Sequence, residues 1–289
     1  MKNVKIIILL LSSLFILPLA ALADAAAGDM IITLGENLSE EQKNALLSEM
    51  NAPEDAQIIT VSNAEEHQYL GKYVAKSLIG TKAISSSAIT IAEKNSGLEV
   101  ESKNINWVTD EMYINALSTA GVKDAKIYIT APFEVSGTAA LTGLIKAYEV
   151  STDEVIPEDV KQAANEEMVK SAQLGDAIGT ENASALMTKI KEEMAKNPPQ
   201  TIEEIRIIVE NAAKDLGLTL TEEQIQGLID LFNKLKDLNI DWNQVNGQLQ
   251  AAKDKIADYL GSEEGQGFLE SIKQLFISLF DWIKGLFAK

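Results

Sequence analysis

The chain has 289 residues, 46% of them apolar, with a formal net charge of −18, no cysteine and one histidine. Such acidity opposes nucleic-acid binding, which needs a basic surface to release counterions from phosphates, and the lack of cysteine removes disulfides and thiolate metal sites. The fold must rest on its core alone, and the length allows one large or two modest domains.

Residues 1–23 read as a signal peptide: Lys2 and Lys5 precede an apolar run from Ile6 to Leu17, then Pro18 and the small-x-small site Ala21-Leu22-Ala23. The mature chain is expected to begin at Asp24 and to be extracellular or associated with the cell envelope. An uncleaved anchor is the competing reading, because Ile6 to Ala23 is near the lower length for a membrane span. Pro18 and the cleavage site favour removal.

From Asp29 to about Val150 short β-like runs alternate with helix-period segments. Met30 to Leu34 is a strand, and Ser39 with Gln42 forms a capping box opening a helix to about Met50. Gln57 to Ser62 is a second strand, followed by a helix capped by Asn63 and running to about Ile79. Ala83 to Glu93 and Leu98 to Lys103 suggest a hairpin turning at Asn95-Ser96-Gly97, since Asn and Gly tolerate positive φ. Thr109 caps a helix to about Ala120, Lys126 to Thr130 is the most β-like run, and Ser136 opens a helix to about Tyr148. The order implies a mixed sheet with helices packed on it, an α+β or α/β domain over residues 24–150.

Beyond Ser151 amphipathic helices take over: Glu158 to Ile178, Asn182 to Lys196, Ile202 to Leu216, Thr221 to Leu238, Asn243 to Leu260 and Glu263 to Phe287. Gly179, Pro198-Pro199, Gly217 and Gly261 separate them. An acidic helical bundle over 151–262 and an amphipathic C-terminal helix over 263–289 are expected. Leu38 to Gln42 and Leu220 to Gln224 look alike because both are capping boxes.

Tyr69-Leu70-Gly71, Ile79-Gly80-Thr81, Asn104-Ile105-Asn106-Trp107-Val108-Thr109, Thr119-Ala120-Gly121-Val122, Ala131-Pro132 and Val135-Ser136-Gly137-Thr138-Ala139-Ala140-Leu141 resemble the YpuA-like family. That is the domain-of-unknown-function family numbered 1002, whose members are predicted secreted proteins of Gram-positive bacteria. The resemblance implies export, and it brings no catalytic residue or cofactor with it.

No strong catalytic motif appears. His67 lies among Glu65, Glu66 and Gln68 on the first turns of a helix and reads as a solvated imidazole, and neither Gly-x-Ser-x-Gly nor Ser-x-x-Lys occurs. No catalytic residue and no cofactor are assigned. Three weaker features remain. The junction Ser136, Gly137, Thr138 and Ala139 follows a strand and opens a helix, so its free N–H groups suit a small anion, although Ser136 as a plain N-cap accounts for it too. Asp237, Asn239 and Asp241 start like a calcium loop, but Trp242 and Gln248 stand where glycine and glutamate belong, leaving an interhelical turn capped by Asp241. Trp107, beside Met112 and Tyr113, is expected to pack under the helix that Thr109 caps.

The last helix carries the clearest pattern. Phe268, Ile272, Phe276, Phe280, Ile283 and Phe287 share one apolar face, with Trp282 beside it and lysines around it. Such a face suits a membrane interface or a protein partner, and it equally suits closing the bundle. The expected function is a non-catalytic extracellular or envelope binding protein, using this helix for a protein or envelope-surface partner. The rival is a hydrolase of cell-wall or peptide material with a carboxylate pair; a cleft with two facing carboxylates, one of raised pKa, would mark it.

Overall fold

Period-two alternation in the first strand explains how the protein is layered. In β1 (Met30–Gly35), Ile32 and Leu34 join Leu46 of α1 (Glu40–Glu49) and its C-cap Met50 on one face of the sheet, whereas Ile31 joins the larger core on the other. This is a computed structural model describing residues 27–73 and 75–261, so residues 1–23, read above as a signal peptide, and the expected C-terminal helix with Phe268 to Phe287 lie outside the described residues. The remaining elements of the sheet region are β2 (Gln57–Val61), α2 (Asn63–Leu70), the single turn α3 (Lys76–Ile79), β3 (Ser86–Ile91), β4 (Leu98–Ile105), α4 (Asp110–Thr119), β5 (Ala125–Val135) and α5 (Thr138–Thr152).

The five strands lie in the order β2-β1-β3-β5-β4, with β1/β2 and β4/β5 parallel and β3 antiparallel to β1 and β5. The fold class is α+β. The expected hairpin is corrected: β3 and β4 do reverse direction across Asn95 and Gly97, both at positive φ, but β5 lies between them. Ala92 N–H donates to Asp124 O at 2.7 Å and Ala125 N–H to Gly97 O at 3.1 Å, so the turn bridges the start of β5. The reason lies in the side chains. β5 carries Ile127 and Ile129 in the core and bonds on both edges, whereas β4 alternates Leu98 and Val100 with exposed Glu99, Glu101 and Lys103, a pattern suited to an edge.

Helices continue with α6 (Glu158–Ile178), α7 (Thr180–Lys196), α8 (Ile202–Asp215), α9 (Glu222–Asp237), α10 (Trp242–Gln248) and α11 (Gln250–Gly261). One hydrophobic cluster runs from Ile31 in the sheet through Met112, Leu144, Met168 and Leu186 to Phe232 and Leu249. Glycine permits a close approach of helix to sheet: a Cβ on Gly143 of α5 would stand 2.9 Å from Thr33 Oγ1 and 3.0 Å from Val61 Cγ2.

Both expected capping boxes form, at Ser39 with Gln42 and at Thr221 with Gln224. Three helix readings need correction. Ser62, not Asn63, caps α2, because Glu65 three residues on completes a capping box with it, and α2 stops at Leu70 instead of reaching Ile79. The helix expected from Asn243 to Leu260 is two, broken at Leu249. Ser136 does not start α5: Gly137, at φ 90°, is its N-cap.

Candidate functional site

At the start of α5, Thr138 of the four junction residues meets a buried carboxyl of the protein's own. Glu66, 2% exposed, reaches in from α2: Thr138 Oγ1 donates to its Oε1 at 3.3 Å and Asn63 Nδ2 to its Oε2 at 3.1 Å. Burial pushes this carboxyl up to about 7, against the pull of both hydrogen bonds. Ser136 Oγ lies 3.3 Å from Thr138 Oγ1, Ala139 is buried, and Tyr113 Oη donates to Gly137 O at 2.6 Å. A helix N-terminus favours negative charge or a hydrogen-bonded carboxyl, and here α2 brings one to it.

The other sequence-derived residues are placed as follows. Asp241 caps α10, accepting from Asn243 N at 3.0 Å and Gln244 N at 3.1 Å, while Asp237 accepts from Lys236. Asn239 and Asp241 border a shallow cavity shared with Lys123 and Glu154. Among the described residues no three His, Cys, Asp or Glu side chains group as a metal site. His67 Nε2 donates to Gly80 O at 3.0 Å and is half-buried instead of solvated. Trp107 packs against the main core, and its Nε1 donates to Asp176 at 3.2 Å.

A more developed site lies between three helices. Each contributes residues at helical spacing, which puts them on one face: Glu65 and Tyr69 from α2; Thr142, Ile145, Lys146 and Glu149 from α5; Lys161 and Asn165 from α6. They enclose a cavity of about 220 Å³. Two ion pairs bridge the helices around it, Lys146 to Glu65 at 2.7 Å and Lys161 to Glu149 at 2.8 Å. Lys146 also donates to Thr60 O at 3.1 Å, and Glu149 Oε1 accepts from Ile156 N at 2.8 Å. Burial works against the charge on Glu65, but hydrogen bonds from Lys146 and Ser62 outweigh it and hold the carboxyl below the usual range.

The cavity's remaining groups are not closed. Thr142 and Asn165 are buried, and Thr142 Oγ1 and Asn165 Oδ1 have no hydrogen-bond partner, although Asn165 Nδ2 donates to Lys161 O at 2.8 Å. A buried polar atom left unpaired is destabilising and asks for an explanation. Tyr69 Oη points to Glu158 at 3.4 Å and leaves its ring to the wall. None of these residues stood out in the sequence as a site. The available signal was Thr142 and Asn165, polar residues on helix faces that are otherwise buried.

A second polar group lies deeper, where α4, α6 and α7 meet. Lys191 and Glu167 are 0% exposed and pair at 2.6 Å. Lys191 Nζ also donates to Asn115 O at 2.5 Å and Thr119 Oγ1 at 2.7 Å, and Thr119 Oγ1 donates to Glu167 Oε2 at 2.5 Å. Burial pushes the Glu167 carboxyl up and the Lys191 ammonium down, each against the attraction of the other.

Fold and site together define an α+β protein with a mixed five-stranded sheet, a helical layer and a small charge-balanced cavity between helices. Residues 34–252 match the family described as proteins of unknown function, DUF1002, and the chain belongs to that family. It is 58% identical over 275 residues to the uncharacterized protein YpuA of Bacillus subtilis (strain 168), covering 95% of each chain. No solved structure matches it.

Proposed function

We propose that this is an exported, non-catalytic binding protein that holds a small ligand in the cavity between α2, α5 and α6. The observation that carries the reading is the pair of buried, unpartnered oxygens on Thr142 and Asn165 at a cavity whose charged walls are already paired. Pockets that bind small molecules combine a concave shape with a few polar groups left free for the ligand. The carboxylates of this cavity argue against acid–base chemistry. Glu65 and Glu149 are each held by a lysine, with Glu65 below the usual range, and the carboxyl of raised pKa, Glu66, is hydrogen-bonded at the start of α5 instead. The leader-like residues 1–23 support export, and the lysine-flanked aromatic face from Phe268 to Phe287 supports attachment to an envelope-surface or protein partner.

Two measurements test this. Expression from Met1 in a Gram-positive host, followed by mass spectrometry of the N-terminus, should find the protein outside the cytoplasm beginning at Asp24; an intact Met1 in the cytoplasm removes the export reading. Ligand titration followed by amide NMR should move residues of α2, α5 and α6 together, and a saturating ligand should be recovered chemically unchanged.

A further inference from the structure

We propose that the ligand of the α2–α5–α6 cavity is an uncharged, hydroxyl-rich ring, the chemistry of a single sugar unit. This rests on the binding reading above and specifies it.

Charge is the first argument. Lys146 with Glu65 and Lys161 with Glu149 close the wall at 2.7 and 2.8 Å, so the cavity is neutral within a chain of net charge −18. An ionic ligand would have to compete with one of these pairs for its partner, and a wall already matched in charge gives it no net attraction. Hydroxyl groups need not break either pair, because a carboxylate offers about four acceptor positions and an ammonium several N–H donors. The paired charges then serve as strong hydrogen-bonding groups.

The free atoms point the same way. One Asn165 Nδ2 hydrogen goes to Lys161 O, and the acceptor Oδ1 has no partner at all. An O–H or N–H donor on the ligand would satisfy it. Thr142 Oγ1 can both donate and accept, which a neighbouring hydroxyl on the same ligand satisfies. Tyr69 and Ile145 supply apolar wall for the C–H face of a ring, and about 220 Å³ lies below the usual range for drug-sized ligands, so one unit is enclosed and not a chain.

The test is a titration of the ¹⁵N-labelled chain beginning at Asp24 with glucose, galactose, N-acetylglucosamine and inositol, and in parallel with glycine and Ala-Ala. The same titrations on Asn165→Leu and Thr142→Val, each shown folded by its amide spectrum, complete it. At least one of the hydroxyl-rich rings should shift amides of α2, α5 and α6 saturably, with an affinity indifferent to added salt, and each variant should weaken it about tenfold or more. If glycine or Ala-Ala shifts those amides and no hydroxyl-rich ring does, the ligand class is wrong while the cavity remains a binding site. If no probe moves them, both the ligand class and the binding reading are overturned.

Discussion

Two groups of paired charges bridge the helices, one fully buried and one beside an open cavity. Where α4, α6 and α7 meet, Lys191 finds close acceptors in Glu167, Thr119 and the Asn115 carbonyl, and Thr119 closes the circuit back to Glu167. Between α2, α5 and α6 the lysines and glutamates are also paired, yet Thr142 Oγ1 and Asn165 Oδ1 beside them have no partner. The first arrangement holds helices in one register and has no exposed surface. The second borders an accessible cavity, and unpartnered oxygens occur in both, Asn115 Oδ1 in the first and Thr142 Oγ1 and Asn165 Oδ1 in the second. Neither ion pairing nor an unpartnered oxygen alone therefore marks a functional site; their meeting at an accessible cavity does.

The largest effect should come from breaking the fully buried pair. Lys191→Met leaves the Glu167 carboxyl group buried without its charge partner, and urea unfolding should register a loss of about 3–5 kcal/mol. Adding Glu167→Leu should recover much of it, since removing both charges removes the uncompensated one. Recovery of nothing would mean that the pair is not the main term.

Glu66 sharpens the comparison because it is buried like Glu167 but has hydroxyl and amide partners and no lysine. Its folded pKa, about 7, lies above the ordinary 4.5, so the folded state binds the extra proton between those values. Stability from the protonated form is fully present below pH 4.5 and is lost as pH rises through 7. Glu66→Gln mimics that form. It should match the parent at pH 4.5 and exceed it by up to about 3 kcal/mol above pH 7, with a flatter pH profile. Identical pH profiles for the two proteins would contradict this.

A smaller loss is expected at the cavity rim. Lys161→Met removes the partner of Glu149, but water reaches this cavity, so thermal or urea unfolding should show a decrease of only about 1 kcal/mol. A loss as large as that of Lys191→Met would place both pairs in the same structural class.

Local chemistry was the most legible part of the sequence. The capping boxes at Ser39/Gln42 and Thr221/Gln224 and the span Glu158–Ile178 follow from contacts within a few residues. Ser62 was missed for the same reason that it forms: Glu65, three residues on, selects it over Asn63, whose amide serves Glu66 instead. Strand order was not legible as pairing, because the partner of β4 is β5 across a helix and not β3 across a turn, and nothing in the Asn95-Ser96-Gly97 turn encodes the strand inserted between. The cavity was hidden in another way. Its residues sit at ordinary i, i+4 spacings on three helices and meet only when the chain folds. Yet each polar inclusion left a trace. Lys191 interrupts the stripe of Leu186, Met187, Ile190 and Met194, Glu167 interrupts that of Val160, Ala163, Ala164 and Met168, and Thr142 and Asn165 do the same more quietly.

The most direct test of the contrast is urea unfolding of the double variant Thr142→Val/Asn165→Leu beside the parent, without ligand. If the two oxygens are kept open for a ligand, replacing them with apolar groups of similar shape should leave the midpoint equal or raise it, with the denaturant slope unchanged. A fall of several kcal/mol would show that these atoms do structural work like that of Lys191, and the cavity would lose its claim to be a binding site.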